Sequence, residues 1–143
     1  MLDFETHFNE SYNRVLGGST SKGNDFFDAF YDRFIAASPV VEEKFRNIDM
    51  ASQKAMLRQS LFYLSNLFVM KKVPEHLAEI AVKHDRHHAD IPPDLYHLWL
   101  ECLIDAVREF DTKFDQEVEL AWRMVCSQGI AFMIFMYNQA EDG

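Results

Sequence analysis

Between Asn24 and Ala37 the apolar residues Phe27, Phe30, Tyr31, Phe34 and Ile35 recur at intervals of three and four, the spacing that lines one face of an α-helix. The same period runs through the rest of the chain, and no stretch reads as a convincing strand. Gln53, Leu57, Leu61, Leu64 and Phe68 fall on one face of a helix from about Met50 to Met70. Leu77, Ile80, Ala81 and His84 fall on the inward face of the next. Tyr96, Leu100, Leu103 and Val107 form a stripe from about Pro93 to Phe110, and Val118, Trp122, Val125, Gly129, Phe132 and Met136 form another from about Phe114 to Ala140. A chain patterned in this way buries its apolar surface by packing helix on helix, so the expected class is all-α. With 48% apolar residues, 13 Phe and only 5 Gly and 4 Pro in 143 residues, the expectation is one domain over 1–143 with a substantial core.

The breaks between these helices are legible too. A first helix near residues 3 to 16 gives way to GGSTSKGN at 17–24, a polar break in which Asn24 is placed to cap the following helix. Ser38-Pro39 ends that helix, and Pro39 opens a short helical turn reaching Phe45. Pro74 is suited to the start of another helix, and Pro92-Pro93 stops it. Gly129 costs ~1 kcal/mol relative to Ala in a helix interior, which suggests a close helix crossing.

Several function classes are disfavoured. A net charge of -9 works against binding nucleic acid or an anionic membrane, both of which select clustered Lys and Arg. The N-terminus carries acids where a secretory signal has a basic start and an apolar core, so the expected location is cytoplasmic. The longest apolar run, GIAFMIFMY at 129 to 137, is shorter than the ~20 residues of a membrane span. Cys102 and Cys126 are too few and too far apart for a metal cluster or disulfide framework, and read best as buried free thiols.

Polar residues on the inward faces are the informative exceptions. Tyr31, Gln53 and His84 stand on three different helices, and a buried polar group without a partner costs ~1 to 3 kcal/mol. Lys83, Asp85 and Arg86 direct the neighbouring positions to water, which puts His84 on the buried side one turn beyond Ile80. His87 and His88 fall near the end of the helix. Taken alone, His84 is either a satisfied core histidine or a ligand. His84 and His88 stand four apart, but no carboxylate or thiol at matching spacing completes a zinc site. Three polar groups converging on an apolar cavity would suit a haem, with imidazole on the iron, apolar walls and a few hydrogen-bond donors.

These segments, in order, resemble a known family. FYDRF at 30 to 34, followed by SPVVEEKF at 38 to 45, is similar to the second and third helices of globins. QKAML at 53 to 57 resembles the start of the distal helix, and LAEIAVKH at 77 to 84 with IPPDLY at 91 to 96 resembles the proximal helix and the beginning of the next. The likeness spans about residues 24 to 126 and is to single-domain bacterial globins related to the haem domain of flavohaemoglobins. It implies a globin fold around haem b, with His84 as the iron ligand on a five-coordinate iron. It further implies Tyr31 and Gln53 as distal donors, and Phe45, Leu57 and Tyr96 as pocket wall. The segment from His84 to Ile91 is one or two residues longer than in those relatives, which keeps His87 and His88 as alternative ligands. Where flavohaemoglobins place a glutamate on the last helix, this chain offers Gln139. No flavin or nicotinamide site is visible, so redox turnover such as conversion of NO to nitrate implies an external reductase. The implied function is reversible binding of O2, NO or CO, for transport or NO detoxification. The alternative is a globin-fold sensor or regulatory module acting through a partner protein. Oligomeric state is not legible.

Overall fold

The structure is a computed structural model that describes residues 3–16, 20–85 and 87–139. Seven helices follow one another, and the described residues contain no strand: α1 Phe4–Leu16, α2 Thr20–Ala37, α3 Pro39–Phe45, α4 Met50–Met70, α5 Glu75–His84, α6 Asp94–Phe110 and α7 Gln116–Gln139. The local signals explain most boundaries. Ser38 accepts a hydrogen bond from the Val40 N–H at 3.2 Å with Pro39 in the first turn, and Asp49 accepts from the Ala51 N–H at 3.2 Å to start α4. Lys71 closes α4 in the left-handed conformation, at φ 59°, a common way for a helix to end.

Two boundaries differ from expectation, one of them the end of α5, which stops at His84 well before Pro92-Pro93. α2 begins at Thr20, so Asn24 lies inside the helix and does not cap it; residues 17–19 of the polar break lie outside the described residues. Tertiary packing overrides the cap signal. Phe26 is fully buried, with its ring 6.1 Å from Phe110 and 6.4 Å from Trp122, and this contact secures the N-terminal half of α2.

The core centres on Trp122 of α7, which is fully buried and packs edge-on to Phe8 of α1 at 4.7 Å. Around it lies a closed polar network. The Trp122 indole N–H donates to Ser11 Oγ at 2.8 Å, and the Ser11 hydroxyl donates to Asp111 Oδ2 at 2.6 Å. Arg14 Nε and Nη2 donate to the two Asp111 oxygens at 2.5 and 2.9 Å, and the Lys113 N–H donates to Oδ1 at 2.9 Å. Burial pushes the Asp111 carboxyl up, but Arg14, Ser11 and the Lys113 amide outweigh it and hold it below the usual carboxylate range. The network locks α1 to the corner between α6 and α7.

By length and composition α7 is apolar enough to cross a membrane, more so than the nine-residue run suggested. Its inner face, however, including Val118, Trp122, Val125 and Cys126, belongs to the core. Cys102 and Cys126 are buried free thiols, and burial pushes Cys126 up to about 12.

Ser11→Ala should lower the free energy of unfolding by about 1 to 3 kcal/mol, because it leaves the Trp122 N–H and an Asp111 oxygen short of a partner. A urea titration checks this as a lower midpoint at unchanged slope. The depressed Asp111 carboxyl contributes stability that is present above the unfolded carboxylate range and lost as pH falls through its folded value. Wild-type protein should therefore lose more stability on acidification than Asp111→Asn, as measured by urea midpoints at a series of pH values.

Candidate functional site

A cavity of about 590 Å³ lies within the helices, walled by parts of α2 to α7 and by the segment after α5. That is the size of an ordinary small-molecule site. All six residues singled out in the sequence line it: Tyr31, Phe45, Gln53, Leu57, His84 and Tyr96. The helical period brings them together from five helices. Tyr31 leaves the inner face of α2, and its ring meets Phe45 of α3 at 5.7 Å. Gln53 and Leu57 are one turn apart at the beginning of α4. His84 is the last residue of α5 and Tyr96 stands in the first turn of α6.

His84 is half-buried, and its Nδ1 lies 2.7 Å from the Ile80 carbonyl one turn back. A carbonyl only accepts, so Nδ1 carries the proton and Nε2 keeps a free lone pair. Burial is the largest influence on this imidazole and pushes its pKa down, against the opposing pull of the Ile80 carbonyl. A neutral imidazole with Nε2 available is the form that binds a metal.

The neighbouring histidines are used differently. Asp85, expected to face water, is instead buried, because its carboxylate turns back to organise the segment after α5. It accepts from the His87 N–H at 2.9 Å and pairs with His88 Nδ1 at 2.7 Å. His87 and His88 are exposed and do not line the cavity; Arg86 lies outside the described residues. The Ile91 N–H then returns to the His84 carbonyl at 3.0 Å. That bond closes a turn after α5, and His84 lines the cavity.

Tyr31 is 6% exposed, and its hydroxyl donates to the backbone carbonyl of Gln53 at 3.1 Å. Burial pushes this phenol well above its ordinary value, so it remains a proton donor throughout the neutral range. Tyr96 is 8% exposed, and its hydroxyl is the one fully buried side-chain polar atom among the described residues with no partner. Burial first, and nearby Tyr137 second, push it up as well. The Tyr96 side chain lines the cavity while its hydroxyl is shut away behind the wall, where a missing partner is an unrelieved cost.

Gln139 does not take part. It is the exposed last residue of α7, and α7 faces the cavity through Gly129, Ile130 and Met133. Further along that helix Tyr137 donates to Asp90 Oδ1 at 2.7 Å. The sequence reading missed Ile130 and Met133 as wall residues, together with Trp99, Lys44 and Lys83. For Met133 a signal existed, because it stands one turn beyond Gly129 on the same face. Lys44 carries no such signal. Its ammonium reaches the Ala89 carbonyl at 3.1 Å and ties α3 to the segment after α5 at the cavity rim.

This arrangement has a solved counterpart. The protein PA3967 of Pseudomonas aeruginosa PAO1, described as structurally highly homologous to a human hemoglobin, superposes with a TM-score of 0.85 at 36% sequence identity, covering 94% of this chain and 98% of the other. The chain belongs to the globin family. No protein-family model and no curated protein matches it. In this globin the all-α architecture expected from the helical period holds throughout the described residues.

The rear of the globin cavity depends on one glycine. A Cβ on Gly129 would overlap the Leu64 side chain, and both residues line the cavity. Gly129→Ala should force the tip of Leu64 to move, with an overpacking cost of about 1 kcal/mol or more set against the ~1 kcal/mol by which Ala favours a helix interior. A fall in the urea midpoint on Gly129→Ala that shrinks when the same substitution is made in a Leu64→Ala background, read as a double-mutant cycle, checks this prediction.

Proposed function

We propose that this globin binds one b-type haem non-covalently, with His84 as the axial ligand, and reversibly takes up O2, NO or CO. The observation that carries the reading is the state of His84: it lines an apolar cavity with Nδ1–H engaged by the Ile80 carbonyl, which keeps Nε2 unprotonated. The fit of the remaining residues supports it. Phe45, Leu57 and Tyr96 supply wall. Lys44 and Lys83 are cations at the rim. The absence of a Cys-x-x-Cys-His sequence fits non-covalent retention. When bound, haem iron supplies an open coordination position at which a diatomic gas attaches.

Tyr31 and Gln53 are the residues we assign to the gas side, in keeping with the resemblance to the haem domain of flavohaemoglobins. The Tyr31 hydroxyl keeps its proton and has a nearby alternative acceptor, since the Gln53 carbonyl it reaches already belongs to the helix ladder of α4. Turning from that carbonyl to a ligand exchanges one hydrogen bond for another. The net gain is therefore a fraction of a full bond. NO detoxification by this globin would draw its electrons from a separate reductase, and NADH-driven NO consumption by the purified protein should appear only after such an enzyme is added.

Two measurements test the reading. Protein reconstituted with haem should show a Soret band and a CO adduct that His84→Ala loses while His87→Ala and His88→Ala keep them; the reverse pattern would move the ligand. Tyr31→Phe should speed O2 dissociation by about 2- to 10-fold, the equivalent of ~0.5 to 1.5 kcal/mol, with little change for CO. Stopped-flow replacement of O2 by CO reads the first rate and replacement of CO by NO the second, and equal changes for the two gases would place Tyr31 outside ligand contact.

A further inference from the structure

A second cleft, of about 320 Å³, runs between α4 and α5 and shares Met56, Ile80 and Lys83 with the main cavity. On the α4 side its outer wall is Ser52, Ala55 and Gln59, at the helical period. On the α5 side it is His76 and Glu79, with the His76 ring stacked on Tyr63 at 5.4 Å. The outer wall is thus polar and in contact with water, whereas the chamber behind it is lined mainly by apolar side chains. Of the three shared residues, Lys83 is exposed, so the partition between the two spaces consists of Met56 and Ile80. Both are half-buried side chains. Met56 is unbranched, with three rotatable bonds, and can swing aside without any movement of backbone.

The other walls offer less. The rear is sealed by the close fit of Leu64 on Gly129. The rim beside α3 is tied by the Lys44 ammonium to the Ala89 carbonyl. We propose that small uncharged ligands reach the chamber through the α4–α5 cleft, with the Met56 side chain as the gate. This route rests on the gas-binding reading above and adds its selectivity. An uncharged diatomic sheds little hydration in passing from the polar cleft into the apolar chamber, whereas a hydrated ion sheds much.

A gate alters the height of the barrier and leaves both end states unchanged, so it changes association and dissociation by the same factor. Ala55 is exposed and lines only the outer cleft, which makes it the site for a plug. In the haem-loaded protein, Ala55→Trp should slow CO association and CO dissociation together by roughly fivefold, with Kd unchanged within about twofold. Met56→Ala should speed both together. Flash photolysis gives association and NO replacement gives dissociation. Gln59→Trp provides a second plug on the same face. As a readout apart from gas binding, Met56→Cys in the loaded protein should react with methyl methanethiosulfonate, and adding Ala55→Trp should slow that labelling. A normal CO spectrum with unaltered CO rates in both plugged variants would overturn the route while leaving gas binding intact. A change confined to one rate would also overturn it, because the substitution would then be acting on the bound state. Absence of any CO adduct in the wild-type protein would overturn the gas-binding reading and the route with it.

Discussion

A cavity of about 590 Å³ inside a chain of 143 residues is a standing cost, because every wall atom that faces it lacks the dispersion contacts of a close-packed interior. The rest of the structure is arranged so that the walls cannot collapse. α4 and α7 cross at Gly129, where the missing Cβ leaves room for Leu64 and the two helices cannot come closer. α1 is held to the α6–α7 corner by the closed set of hydrogen bonds among Trp122, Ser11, Asp111 and Arg14. Trp122 and the Phe26 ring beside it are fully buried, and the cavity lies apart from them, walled by parts of α2 to α7 and by the segment after α5.

That division of labour accounts for the polar groups in the wall. In the braced half of the molecule each buried side-chain polar atom among the described residues is satisfied within the protein. In the cavity half the groups are left with capacity: His84 retains the Nε2 lone pair, Tyr31 bonds a carbonyl that helix α4 already engages, and Tyr96 has no partner. Unfilled hydrogen-bonding capacity in a low-dielectric space is expensive. Its concentration around one chamber, on helices that period alone would have made uniformly apolar, is what the proposed binding site rests on.

Much of this was legible beforehand. Tyr31, Gln53 and His84 each interrupt an apolar stripe, and a helix converts such an interruption into a direction, so their convergence followed from spacing together with the globin resemblance. Proline residues placed the end of α2 and the starts of α3 and α5 for the same local reason. Asp85 and Asn24 went the other way. Neighbouring charges suggested an exposed Asp85, yet its carboxylate folds back to accept from His87 and His88. A good cap at Asn24 was overridden by the burial of Phe26 against Trp122 and Phe110.

What the sequence by itself determined is therefore whatever depends on neighbours within about one helical turn: the helices, their inward faces and the residues those faces present. The tertiary structure decided whatever depends on separation in space. Asp111 meets Ser11 across 100 positions of the chain, and Trp122 meets Ser11 across 111; no local period encodes either pairing. The partition between the main cavity and the α4–α5 cleft is of the same kind, since Met56 and Ile80 become one wall only when two helices pack side by side. Helical periodicity specifies the angle at which a side chain leaves its own axis. The identity of the group it meets depends on the crossing of a second axis, and that crossing is set by the packing of the whole chain.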